Sequence, residues 1–162
     1  MLRSMTSLYI LRENKILMLY RVGSRVIEPS WVGIGGHFEP EEYNDPAACV
    51  LRELKEETGL TLSNIEDMQL RYVSLRHTGT EVRQNFYFFA RLRGELPEDV
   101  TCNEGHLVWK DLSELPRLPM PVTAKSCINH YLSQGRFDSV IYGVLHSADC
   151  EPTFTPLTKE ET

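Results

Sequence analysis

Three carboxylates sit close together in Arg52-Glu53-Leu54-Lys55-Glu56-Glu57-Thr58-Gly59-Leu60. Positions three and four apart on a helix share a face. At 100° per residue, Glu53, Glu56 and Glu57 fall within an arc of about 100°. Ala47, Leu51 and Leu54 point away from that arc, so one side of the helix suits a core and the other gathers acid. Like charges at this spacing cost a few tenths of a kcal/mol per pair on an exposed helix, and more where water is excluded. A divalent cation turns that repulsion into affinity. Carboxylate oxygens with open water positions suit Mg²⁺, with Mn²⁺ as a substitute, better than zinc. No His or Cys cluster accompanies them.

Glutamate is a good helix former, so three of them alone are also compatible with a solvated face. The full set is more informative. Arg, Glu, Glu, Glu and Gly at fixed spacing should arise by chance on the order of once in 10⁶ windows. Here the set follows the Gly35-Gly36 pair and a loop containing Glu39, Glu41 and Glu42.

The elements that must position these residues follow from local punctuation. Asp45 is an N-cap, Pro46 fits the first helical position, and Gly59 is a left-handed stop, so a helix is predicted between them. Ser7–Leu11 and Lys15–Tyr20 read as a hairpin across Arg12-Glu13-Asn14. Trp31–Gly36 reads as a short strand running into the glycine loop. Further strands are predicted over Gln69–Leu75, Val82–Leu92, Leu107–Lys110 and Phe137–Leu145, and a second helix over Val122–Ser133. Strands on both sides of two helices predict an α/β fold: an α/β/α sandwich around a mixed β-sheet. Residues 1–148 form the expected single domain, and residues 149–162, with Pro152 and Pro156, a flexible C-terminal tail.

The segment resembles the signature of the Nudix hydrolases: a glycine and a glutamate, then Arg-Glu-apolar-x-Glu-Glu-x-Gly-apolar, carried here by Gly36, Glu42 and Arg52 to Leu60. The element order is similar to that family's fold as well. The resemblance implies a hydrolase that cuts a diphosphate linkage in a nucleotide by attack of a metal-activated water. It makes Glu53, Glu56 and Glu57 metal ligands and Arg52 the residue that fixes a glutamate rotamer. On helical spacing the partner of Arg52 is Glu56. The Gly35 carbonyl, beside Gly36, is a further candidate for the metal shell. One departure stands out. The usual spacing counted back from Arg52 lands on Asn44, and counted forward from Gly36 it lands on Glu42. An insertion of two residues reconciles the counts and leaves Glu39, Glu41 and Glu42 competing for the first-glutamate role.

Outside the signature, Glu104 is the candidate for the extra acid, ligand or base, that such enzymes borrow from a later loop; His106 is the weaker alternative. Arg21, Arg25 and Arg83 are candidates for phosphate or base contacts, since arginine offers a planar fork. Trp31, Phe86 and Tyr87 are candidates for stacking on a base, with Tyr20 nearby. Gln84 and Asn85 are candidate readers of an altered base edge. Cys49, on the carboxylate side, reads as a small packing residue. The resemblance favours cleavage of a nucleoside triphosphate to monophosphate and pyrophosphate, with 8-oxo-dGTP among the candidates. ADP-ribose or another nucleoside diphosphate derivative is the alternative. ADP-ribose-cleaving relatives typically carry a proline soon after the signature, and Thr61–Thr80 has none. A non-catalytic nucleotide-binding module is the third reading, although such modules usually lose metal-site glutamates.

Composition bounds these readings. A formal net charge of −6 argues against a duplex nucleic-acid partner, which calls for a basic stripe. The apolar stretch Leu8–Leu11 is too short for a signal-peptide core, no run reaches membrane-spanning length, and none of the four cysteines forms a CxxC pair. The expectation is a cytoplasmic protein with reduced thiols and a small-molecule nucleotide partner; a homodimer stays open.

Overall fold

The computed structural model describes residues 1–22, 28–97, 100, 102, 104–149 and 151–157. Its strands are β1 (Leu2–Arg12), β2 (Lys15–Arg21), β3 (Ser30–Val32), β4 (Ile65–His77), β5 (Val82–Leu92), β6 (Gly105–Asp111), β7 (Ile141–His146) and β8 (Pro152–Leu157). Helix α1 spans Pro46–Thr58 and α2 spans Val122–Ser133.

All eight strands join one mixed sheet in the order β3-β2-β1-β5-β4-β7-β8, with β6 also paired to β2. β1 runs parallel to β5 and β4 parallel to β7; the remaining pairs are antiparallel. Side chains alternate along a strand, so successive residues feed opposite faces. Leu8, Ile10, Leu17 and Phe88 pack on one face with Val50 and Leu54 of α1. Tyr9, Ile16, Met18, Tyr87 and Phe89 pack on the other with Ala124, Cys127 and Ile128 of α2. This is the expected sandwich, with a helix over each face and strands buried on both sides.

Several boundaries differ from expectation. β1 starts at Leu2, because Leu2 to Leu11 pair in parallel with Val82 to Arg91 and that ladder sustains a polar start. The strand expected over Trp31–Gly36 ends at Val32, and beyond it Ile34 and His37 make single bridges to Leu8 and Met5. Phe137 lies in a turn, and the strand expected to include it begins at Ile141. Arg71, buried in β4, holds that turn through the Gly135 carbonyl at 2.5 Å and Asp138 at 2.7 Å.

The stretch expected to be a flexible tail instead supplies β8. Ile141 to His146 pair with Leu157 to Pro152, and Phe154 stacks on His130 of α2 at 4.2 Å. β8 is an edge strand, where proline costs no ladder bond on the open side. Cys150 and residues 158–162 lie outside the described residues.

Candidate active site

Helix α1 begins and ends as its sequence requires. Asp45 Oδ1 accepts from the Ala48 N–H at 3.0 Å, Pro46 follows, and Gly59 closes the helix at φ 74° with its N–H on the Lys55 carbonyl. The helix buries Cys49, Val50, Leu54, Glu57 and Thr58, while Ala47 and Leu51 are half-buried. The buried stripe is therefore rotated toward Val50. Cys49 packs as expected: it is fully buried, 3.4 Å from Thr6 Oγ1, and burial pushes its thiol up to about 11.

Arg52 is the hub of the site. Its Nε and Nη2 grip the two carboxylate oxygens of Glu42 at 2.6 and 3.0 Å. Nη1 reaches Glu53 at 2.9 Å and Glu56 at 3.0 Å, and Nη2 also donates to the His37 carbonyl. The helical partner Glu56 is thus present, but the fork-to-fork pair, the stronger geometry, is with Glu42. Of the three loop glutamates, Glu42 is the buried one. Its Oε2, already held by Arg52 Nη2, also caps the turn at 40–42 by accepting from the Glu39 N–H at 3.0 Å. Glu39 stays 3.8 Å from Arg52, and Glu41 is exposed. The Arg52 guanidinium holds the Glu42 carboxyl down to about 2.

Glu53 and Glu57 face a cavity of about 670 Å³. A Cβ on Gly36 would lie 2.5 Å from Glu53 Oε1, so any larger residue there would push that carboxylate out of its present position. Gly35 packs as closely on β1, where a Cβ would meet the Thr6 carbonyl. The Gly36 carbonyl accepts from the Thr6 N–H at 2.9 Å, tying the glycine loop to the sheet. Glu57 is 6% exposed, and its Oε2 is buried with no hydrogen-bond partner among the described residues. Burial, then the nearby charges of Glu104 and Glu53, push its carboxyl up to about 7; Arg21 and the Gly35 N–H pull the other way. Glu104 lines the same cavity and is paired with Arg21.

Among the described residues, no three His, Cys, Asp or Glu side chains are arranged to hold one ion in this conformation. Glu56, expected with Glu53 and Glu57 as a ligand, is turned to Arg52 and does not line the cavity. The donor set still fits a hard cation. Glu57 offers a buried oxygen with no partner among the described residues, Glu53 and Glu104 line the same cavity, and Glu56, 57% exposed, would have to rotate off Arg52 to join them.

Two of the expected stacking residues lie elsewhere. Phe86 packs against Phe38 at 5.4 Å on the α1 side of the sheet, because Tyr87, its neighbour, takes the cavity side. Trp31 lies between Tyr20 at 4.8 Å and the Lys110 ammonium at 4.6 Å, while its neighbours Ser30 and Val32 face the cavity. Gln84 bonds Ser4 outside the cavity; Asn85 lines it. His106 is exposed and does not line it. Arg21 and Arg83 do, and Arg25 falls outside the described residues. Sequence reading did not single out Tyr9, Thr123 or Arg76, which also line the cavity. The alternation along β1 and β4 was the available signal, but it required knowing which face the cavity occupies.

The structure thus brings a glycine loop and an arginine-clamped helix of glutamates together at one cavity beside a sheet that lies between two helices. The NUDIX domain family model matches residues 1–131, and the chain belongs to the Nudix family, whose pyrophosphohydrolase class it shares. Solved structures agree in fold. The MutT protein from Bacillus halodurans is similar at 24% identity and TM-score 0.67, over 95% of this chain and 97% of that one. A NUDIX hydrolase from Nitrosomonas europaea is similar at 17% identity and TM-score 0.67, over 83% and 91%. The NUDIX domain of Shewanella oneidensis NrtR, crystallised with ADP ribose, is similar at 14% identity and TM-score 0.63, over 85% and 88%.

Proposed function

We propose that this chain is a Mg²⁺-dependent hydrolase of a diphosphate linkage in a nucleotide, with a nucleoside triphosphate as the first substrate class and monophosphate and pyrophosphate as products. The observation that carries it is the buried, partnerless Oε2 of Glu57, crowded by Glu53 and Glu104 at the wall of a nucleotide-sized cavity. Once ionised, such a group is relieved by a bound cation, as in acid it is by a proton. Mn²⁺ is the expected substitute.

Glu53, Glu56 and Glu57 would hold the metal. When bound, the cation polarises the diphosphate and activates a water. Arg52 orients Glu53 and Glu56 through its own anchor on Glu42, and Gly36 leaves the space that Glu53 fills. Glu104, held by Arg21, is the candidate further ligand or base. Tyr9 and Tyr87 give the cavity an aromatic wall, and Asn85, with Nδ2 3.4 Å from the Tyr87 hydroxyl, is the amide positioned to read a base edge such as that of 8-oxo-dGTP. The free thiols of Cys49, Cys102 and Cys127 fit the cytoplasmic placement expected above.

ADP-ribose is the second reading, supported by the similar fold crystallised with that ligand. The test compares kcat/KM for dGTP, 8-oxo-dGTP, the other deoxynucleoside triphosphates and ADP-ribose at equal Mg²⁺, with products separated by chromatography. Preference for a triphosphate, with pyrophosphate released, is the expected result. Preference for ADP-ribose overturns the substrate class, and no turnover of any of them overturns the hydrolase reading.

A further inference from the structure

The cavity continues past its acidic end, along the sheet face made by β1, β5 and β4. Strand register places Arg3 opposite Arg83, and Arg83 opposite Arg76. All three line the cavity. Three guanidinium groups from three neighbouring strands therefore form one row across its floor. The next row inward is Met5, Asn85 and Ser74.

Like charges directly opposite one another destabilise a sheet. Glu81, with a side chain only 11% exposed, relieves part of this row: it lies 2.7 Å from Arg83 and 3.5 Å from Arg3. Among the described residues Arg76 has no carboxylate partner, and it is half-buried. Positive charge is therefore in excess at this end, while Glu53, Glu57 and Glu104 make the other end acidic. Thr6 is level with the glycine loop, to which its N–H is bonded. Arg3 lies three residues along the same strand, about 10 Å away before the reach of its side chain is counted.

We propose that the arginine row is a subsite for a second anionic group of the substrate, carried beyond the diphosphate that the acidic end would hold. This rests on the diphosphate-hydrolase reading above and narrows its substrate. The group is a phosphate or a carboxylate, since the guanidinium fork matches both. The terminal phosphate of a nucleoside triphosphate supplies the first, and an acidic sugar on a nucleoside diphosphate the second. The neutral terminal ribose of ADP-ribose supplies neither.

The experiment uses the full chain in EDTA, where the metal-free acidic end repels anions and the row is read alone. Calorimetry compares dGTP with dGDP, and UDP-glucuronate with UDP-glucose, for wild type, Arg76→Gln, Arg76→Lys and Arg91→Gln. Arg91 pairs with Asp67 outside the cavity and serves as control. The expected result is about tenfold tighter binding of the more anionic member of at least one pair. That preference collapses in Arg76→Gln, largely returns in Arg76→Lys and is unchanged in Arg91→Gln. A preference confined to the dGTP pair identifies a phosphate, and one confined to the glucuronate pair a carboxylate. Equal binding within both pairs, undetectable binding of all four, or a preference that survives Arg76→Gln overturns the proposal. Turnover of the same nucleotides with Mg²⁺ separates the two readings. An Arg76-dependent preference without hydrolysis leaves the subsite standing and removes the hydrolase reading, while hydrolysis without that preference removes the subsite alone.

Discussion

Replacing Glu57 by Gln should stabilise the metal-free protein at alkaline pH and abolish that gain in acid. Glu57 has an ordinary carboxyl value of 4.5 when unfolded and about 7 when folded. The protonated form is therefore the one the fold tolerates. Stability is complete below about pH 4.5 and is lost as the pH rises through about 7, because folding then buries a charge beside Glu53 and Glu104. The shift corresponds to about 3 kcal/mol at full ionisation. The open cavity mouth and shared repulsion reduce this to roughly 2 kcal/mol. In a chain of 162 residues that is a rise of about 4–8 °C in Tm. Urea unfolding followed by Trp31 and Trp109 fluorescence in EDTA, at pH about 8 and about 5, reads the difference. Adding Mg²⁺ at pH about 8 should reverse the order, because the cation stabilises wild type by mass action and the glutamine variant far less. A variant no more stable than wild type at pH about 8 would refute the burial argument. A Mg²⁺ response equal in both proteins would refute the role of Glu57 in holding the cation.

Three further outcomes are expected. Glu42→Gln removes a carboxylate whose folded value is about 2, so its contribution is present above about pH 4.5 and lost as the pH falls through about 2; the variant should be less stable by about 3 kcal/mol at neutral pH, with the gap closing in acid unfolding titrations. Gly36→Ala places a Cβ 2.5 Å from Glu53 Oε1 and should cut Mg²⁺-dependent turnover at least about tenfold while circular dichroism stays native; wild-type turnover would mean that Glu53 has room to spare. Phe154→Ala should cost about 2–4 kcal/mol, because Phe154 packs on Tyr72 and His130; a change below about 0.5 kcal/mol would return the last strand to the status of a loose tail.

Much of α1 was legible in the sequence because its determinants are local. The Asp45 cap, Pro46, the Gly59 stop and the glutamate arc all lie within one continuous segment and follow from helix periodicity. Charge spacing on that segment was enough to bring Arg52 together with Glu56; its contact with neighbouring Glu53 came only with the structure. Other features depended on contacts between distant residues. Glu42, rather than Glu39 or Glu41, meets Arg52 because the turn at 40–42 folds back across ten residues, and no local rule chooses among three neighbouring acids. Phe86 and Tyr87 are both aromatic and both in a strand; only the packing of α1 and α2 on opposite faces decides which one sees the cavity. β8 carries two prolines and few apolar residues, so its order comes from pairing with β7 and from Phe154 against α2, neither of which a local pattern contains. The arginine row exists only in register: Arg3, Arg76 and Arg83 are scattered along the chain and become neighbours when three strands align. A helix writes its own geometry into the spacing of its residues, whereas a sheet brings side chains together across sequence separations that spacing does not encode.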